Sequence, residues 1–230
     1  MSSDMTRRVF LGTVGATAVA ASTGQAVAAD ADRPKPGSLK ILGIACSPRP
    51  GKTTAAAVKV ALDAAKAVGP AIETELVELA GLNIPVFDPA APGSADFEKV
   101  AAKLTDPKVA GIIVGTPVYF SGMSSLAKAF LDQCMAMRKN NFALSGKVAG
   151  VLAVGGVRNG GQELAIQSVQ AALLCQEMIL VGDGKPTAHT GATLWNQGDD
   201  ISKDELGLAT ARNLGRRVAE VAARLVGTTG

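Results

Sequence analysis

A chain of 230 residues lies within the size of one hydrophobic core, and a composition that is 47% hydrophobic but only 3% aromatic, with 26 glycines, suits parallel strands under small-residue helices better than an all-β sandwich. The net charge of +3 comes from 23 basic and 20 acidic residues spread along the chain, with no basic run for a nucleic-acid footprint, so nucleic acid is not an expected partner. His189 is the single histidine, and Cys46, Cys134 and Cys175 are far apart with no CxxC. A zinc site or a Cys/His nucleophile has no supply of residues here, and the thiols are expected to be buried and free.

The chain opens Thr6-Arg7-Arg8-Val9-Phe10-Leu11, continues uncharged to about Ala21, and reaches Ala26-Val27-Ala28, a small-x-small sequence of the kind signal peptidases cut. The paired arginines followed by Phe and Leu resemble a bacterial twin-arginine signal, an address for export of folded proteins. The apolar stretch is shorter than the roughly 20 residues a membrane span needs, and stable membrane insertion is not expected. The reading is a signal over residues 1–28, a polar lead-in over 29–38, a domain over 39–227, and a periplasmic protein.

From Leu39 onward, short β-rich runs alternate with segments of helical period, the pattern of βαβ units and a parallel sheet. A strand over Leu39 to Cys46 precedes a helix from about Thr54 to Val68, stopped by Gly69-Pro70. The second strand, Ile72 to Leu79, carries Glu73, Glu75 and Glu78 and is expected at an edge. A proline-containing loop and a helix near Ala95 to Leu104 lead to a fully apolar third strand, Val109 to Gly115, which belongs in the centre. A helix over about Ser124 to Lys139, a fourth apolar strand Val148 to Gly155, a helix over about Gly161 to Gln176, a fifth strand Met178 to Gly182 and a final helix over about Lys203 to Val226 complete the domain. The expected fold is a flavodoxin-like three-layer α/β sandwich with a five-stranded parallel sheet in order 2-1-3-4-5. In such a sheet, ligands bind beyond the carboxyl ends of strands 1, 3 and 4.

Three loops follow those strands. The first, Ser47-Pro48-Arg49-Pro50-Gly51-Lys52-Thr53-Thr54, joins a strand to a helix start and gathers hydroxyls, backbone N–H groups and a guanidinium, a setting for a terminal phosphate. Gly51-Lys52-Thr53 also ends a near-match to the nucleotide-triphosphate pattern GxxxxGK[ST], but Cys46 stands where its first glycine should be. Strands 3 and 4 end without the aspartate that would hold magnesium, which argues against an ATPase or GTPase. The second loop is Thr116-Pro117-Val118-Tyr119-Phe120-Ser121-Gly122-Met123, and the third runs from Gly155-Gly156-Val157-Arg158 through Gly160 and Gly161 to Glu163.

The segment Gly115 to Asp132 and the loops on either side of it resemble the flavodoxin-like family of NADPH-dependent FMN reductases and iron-sulfur flavoproteins. The resemblance covers roughly Lys40 to Leu225. It implies that the cofactor is FMN, that Ser47, Arg49, Thr53 and Thr54, with Lys52 as an addition, hold its phosphate, that Pro117, Val118, Tyr119 and Phe120 wrap the ring, and that the glycine-rich loop with Gly155, Gly156, Arg158 and Gly161 approaches the ring's pyrimidine side. It further implies an FMN-dependent oxidoreductase of the NAD(P)H:FMN or quinone reductase type, with NADPH or NADH as electron donor, a small-molecule acceptor, and a homodimer or homotetramer. The alternative is a flavodoxin-like periplasmic electron carrier with no turnover of its own; such carriers tend to be strongly acidic. Iron-sulfur members of the family carry a compact set of cysteines after strand 2, where this chain reads Gly81-Leu82-Asn83-Ile84-Pro85-Val86-Phe87-Asp88. FMN is therefore the expected redox centre. The stretch from Asp183 to Ile201, expected as a loop of nearly twenty residues, holds His189 and the single tryptophan, Trp195. Trp195 is expected against the flavin, at a subunit interface or as an anchor for its own loop, and His189 as a hydrogen-bonded surface residue.

Overall fold

Each β-rich run read from the sequence forms a strand. The computed structural model describes residues 38–91 and 93–227; the export signal and almost all of the polar lead-in lie outside the described residues. In chain order the elements are β1 (Leu39–Ala45), α1 (Thr53–Lys66), β2 (Ile72–Glu78), α2 (Ala95–Leu104), β3 (Val109–Tyr119), β4 (Gly122–Met123), α3 (Ser125–Gln133), α4 (Met135–Lys139), β5 (Val148–Gly155), α5 (Gln162–Leu174), β6 (Ile179–Val181), β7 (Ala192–Trp195) and α6 (Glu205–Val226).

The parallel sheet runs β2-β1-β3-β5-β6, the expected order, with the charged β2 at one edge. There Glu75 pairs with Lys40 and Lys103, and Lys40 also reaches Asp106. Alternate residues of each central strand feed opposite layers, as the two-residue period of a strand requires. Ile44, Ile112, Val114 and Val151 face Phe97, Phe130 and Ile166 of α2, α3 and α5, while Ile41, Ile113 and Leu152 face Val58 of α1 and Leu214 and Val218 of α6. On that second face α1 and α6 come so close that a Cβ at Gly215 would collide with the Ala61 backbone.

The structure differs from the sequence reading in four places. The fifth strand comes in two pieces: β6 pairs with Val148 to Gly150, and β7 pairs with Leu152 to Gly155, further along the same edge of β5. The expected loop over 183–201 therefore contains a strand, and the excursion between the two pieces folds around the fully buried carboxylate of Asp183, which accepts from the Thr187 hydroxyl and the His189 N–H. β3 runs four residues past its expected end and forms a short antiparallel hairpin with β4. The helix expected over Ser124 to Lys139 is broken at Cys134 into α3 and α4. Finally, Cys175, at the end of α5, is exposed, whereas Cys46 and Cys134 are buried as expected.

All three thiols are free. Burial pushes the Cys134 thiol up to about 12 and the Cys46 thiol higher still. A disulfide-exchange reagent should therefore titrate one thiol per native chain at neutral pH and three after unfolding; rapid reaction of a second native thiol would contradict this packing.

Candidate functional site

The three loops that the sequence singles out meet at one end of the sheet, because β1, β3 and β5 are adjacent and parallel and all point the same way. Buried hydrogen bonds through Ser124 join the first two. Its hydroxyl donates to the Cys46 carbonyl at 2.7 Å, where β1 ends, and accepts from the Ala127 N–H at 3.0 Å as the N-cap of α3. Its own N–H donates to the Thr116 hydroxyl at 3.0 Å, and that hydroxyl donates to the Pro117 carbonyl at 2.9 Å.

In the first loop, the Ser47 hydroxyl accepts the Arg49 N–H at 3.1 Å, an ST-type turn that fixes the loop's start. Gly51 lies at φ 63°, and its N–H donates to Glu78 at 2.7 Å. Lys52 is the N-cap of α1, yet no side chain caps that helix and its first turn holds no acidic residue. The N–H groups and partial positive charge of the helix start are thus left for an outside acceptor. Arg49 Nη1 and Lys52 Nζ stand at the same place, both paired with Asp199, at 2.6 and 3.4 Å. The Arg49 guanidinium holds the Asp199 carboxyl below its ordinary value. Ser47, Thr53 and Thr54 are buried beneath these groups.

The second loop is a tight hairpin whose two turn residues, Phe120 and Ser121, both have positive φ, 48° and 62°, the conformation of a type I′ turn. A bulky residue seldom adopts it, and such residues persist where the surroundings impose them, as in ligand clamps. Phe120 is fully exposed at the tip and Tyr119 is half exposed behind it. Gly161, at φ 94°, passes so close to this turn that a Cβ there would lie 2.7 Å from Ser121. Loops two and three therefore form opposing lips.

Loop three is braced from behind. Gln162 closes the loop on itself through the Gly160 N–H and the Val157 carbonyl. Trp195, at the end of β7, donates its indole N–H to the Gly156 carbonyl at 3.1 Å, and its ring lies 5.8 Å from the Arg158 guanidinium carbon. Asp204 is buried and accepts from Arg158, from the Trp195 N–H at 2.7 Å and from the Gly207 N–H at 2.9 Å, which also caps α6. Asn196 donates its backbone N–H to the Gly155 carbonyl at 2.8 Å, while its Oδ1 is buried with no partner.

Of the residues expected at the site, Arg49 and Lys52 converge above the start of α1, and Pro117, Val118, Tyr119 and Phe120 lie along the end of β3 and the hairpin turn that faces Gly161. Gly155 and Gly156 lie where β5 gives way to loop three. Arg158 is turned toward Asp204 and Trp195. Sequence reasoning missed Ser124, Gln162, Asp199 and Asp204; only the helix-start position of Ser124 and the run Asp199-Asp200 carried any local signal. Trp195 is hydrogen-bonded to Gly156 of loop three, and His189 is hydrogen-bonded, its Nδ1 3.4 Å from Asp183.

Together the open helix start, the two cations and the two facing loops gather at the carboxyl end of the sheet of an α/β protein. The profile of the NADPH-dependent FMN reductase family matches residues 39–193, and the chain belongs to that family. An iron-sulfur flavoprotein of Methanocaldococcus jannaschii is 41% identical over 80% of this chain and 97% of its own length. A protein of Paracoccus denitrificans named NAD(P)H dehydrogenase (quinone) is 39% identical over 50% of this chain and 62% of its own. Among solved structures, a WrbA-like flavodoxin from Agrobacterium tumefaciens superposes with a TM-score of 0.60 over 82% of this chain and 99% of its own, at 19% identity, a likeness of fold. The chain is an FMN-dependent oxidoreductase.

Asp204→Ala leaves buried N–H donors and Arg158 without an acceptor and uncaps α6, a loss of about 3 kcal/mol or more. The expected fall in Tm is roughly 6–12 °C, read by calorimetry on the purified protein.

Proposed function

We propose that this protein binds FMN with its phosphate at Ser47, Arg49, Lys52, Thr53 and Thr54 and its ring between Pro117–Phe120 and the loop containing Gly155, Gly156 and Gly161, with Arg158 holding that loop from behind, and that it reduces a small acceptor at the ring's open face. The observation that carries this reading is the uncapped start of α1 with Arg49 and Lys52 beside it. A dianionic phosphate ester supplies the acceptors and the charge that this arrangement lacks.

FMN supplies the electron chemistry when bound, and the protein supplies position and electrostatics. Glycine at 161 lets loop three pack directly against Ser121 of loop two, which brings the two loops together at the ring's proposed border. Phe120 and Tyr119 offer an aromatic surface at its border. Among the described residues no group of His, Cys, Asp or Glu is arranged to hold a metal ion, and the segment 81–88 contains no cysteine, so the cluster named in the methanogen relative's description has no ligands of that kind here.

NADPH or NADH is the proposed electron donor, supported by the family's description and by the name of the Paracoccus relative. The proposed location is the periplasm, reached in the folded, cofactor-loaded state through Arg7-Arg8; no helix among the described residues is long and apolar enough to cross a membrane. Those two readings pull apart, because pyridine nucleotides are cytoplasmic, and a quinol or periplasmic carrier is the donor that would reconcile them. The proposed assembly is a homodimer or homotetramer.

Purified protein should be yellow. Anaerobic mixing of the oxidised form with NADPH, NADH or a quinol identifies the donor by which of them bleaches the flavin within the turnover time; a colourless protein that takes up no added FMN contradicts the proposal. Arg49→Ala should weaken FMN binding by about 1.5–3 kcal/mol, the usual loss for a charged hydrogen-bond partner, measured by titration of apoprotein. Unchanged affinity would remove the phosphate from this loop.

A further inference from the structure

The turn after β7 lies outside the three loops and reaches the two cations of the proposed phosphate cradle. The Gln197 N–H donates to the Asp200 carbonyl at 2.8 Å, and the two residues between them, Gly198 and Asp199, both have positive φ, 68° and 65°. This tight turn presents the Asp199 carboxylate to Arg49 and Lys52. Among the described residues no other acidic group pairs with either cation.

A carboxylate offers the same charge sign and the same kind of oxygen acceptors as a phosphate. It therefore occupies, from within the chain, the two charged donors that the proposed cofactor site needs. Arg49, Lys52 and Asp199 have side-chain exposures of 47%, 47% and 42%, and ion pairs this open to water are weak and readily exchanged.

We propose that Asp199 is an internal stand-in for the cofactor phosphate. It neutralises Arg49 and Lys52 in the free protein, gives way when the phosphate of FMN arrives, and raises the affinity threshold that any external anion must pass to occupy the cradle. The inference rests on the phosphate reading above. The threshold arises because the tethered carboxylate acts at a high effective concentration. A free anion has only the two cations and the helix start with which to outbid it, whereas FMN adds the contacts of its ring to the lips of loops two and three. Asp199 is thus a residue outside the three loops that tunes how tightly the proposed cradle holds a phosphate.

Asp199→Asn tests this while keeping the turn, because Asn tolerates the left-handed conformation as Asp does. Apoprotein is titrated with FMN, with riboflavin, which lacks the phosphate, and with FMN in the presence of inorganic phosphate as competitor. In the variant, FMN affinity should rise about 2–5-fold, the scale of a half-exposed ion pair. Riboflavin affinity should stay unchanged, and inorganic phosphate should compete at proportionately lower concentrations. Weaker or unchanged FMN binding would show that Asp199 positions the cations or is idle, and an equal gain for riboflavin would show a general loosening of the loop; each overturns the proposal. Arg49→Ala, measured alongside, separates the two claims. If it leaves FMN binding unchanged, the phosphate reading itself falls; if it weakens FMN but not riboflavin while Asp199→Asn brings no gain, only the stand-in role falls.

Discussion

The site depends on the hydroxyl of Ser124. Buried at the mouth of the sheet, it joins the carbonyl that ends β1, the first turn of α3 and, through its own N–H and Thr116, the point where β3 leaves the sheet. A strand end is where backbone groups lose their ladder partners, and buried ones must find others. Here the Cys46 carbonyl finds a side chain from the neighbouring crossover, and the two loops that follow β1 and β3 are set at a fixed separation.

From that junction the rest of the cradle follows. β3 continues beyond β1 and pairs with β5 as far as Val154, so the hairpin carrying Phe120 is held out over the sheet's end, opposite Gly161. The start of α1 lies on the other side of the junction, with its N–H groups uncapped. One end of the sheet thereby carries Arg49 and Lys52 near β1 and aromatic and glycine residues near β3 and β5, the division on which the proposed placement of the FMN phosphate and ring rests. The fold brings this about with few ionisable groups, in keeping with a cofactor that carries the redox chemistry itself.

Much of this was legible in the sequence. The apolar runs Val109 to Gly115 and Val148 to Gly155 declared central strands, and the glutamates of Ile72 to Leu79 declared an edge. The loop proposed to hold the phosphate stood out because its parts are contiguous. What escaped was non-local or atypical. β7 has four residues, flanked by Gly191 and a polar turn, and its pairing with β5 becomes apparent only once β5 is in place. Asp199 lies 150 residues from Arg49 and Asp204 lies 46 from Arg158, and no local spacing links them. The hairpin at Phe120-Ser121 lacks the Asn-Gly or Asp-Gly signature of its turn type, so its positive φ values are imposed by tertiary context. Arg158, expected at the cofactor from its place in the loop, pairs with Asp204 and lies near the Trp195 ring, contacts that no local spacing announces.

A crystal structure of the protein with FMN tests the central claim most directly. The account predicts the phosphate within hydrogen-bond distance of the Arg49 guanidinium and the first-turn N–H groups of α1, with the ring edge between Pro117–Phe120 and Gly155–Gly161. A phosphate bound away from α1, or a ring that touches neither lip, would contradict it.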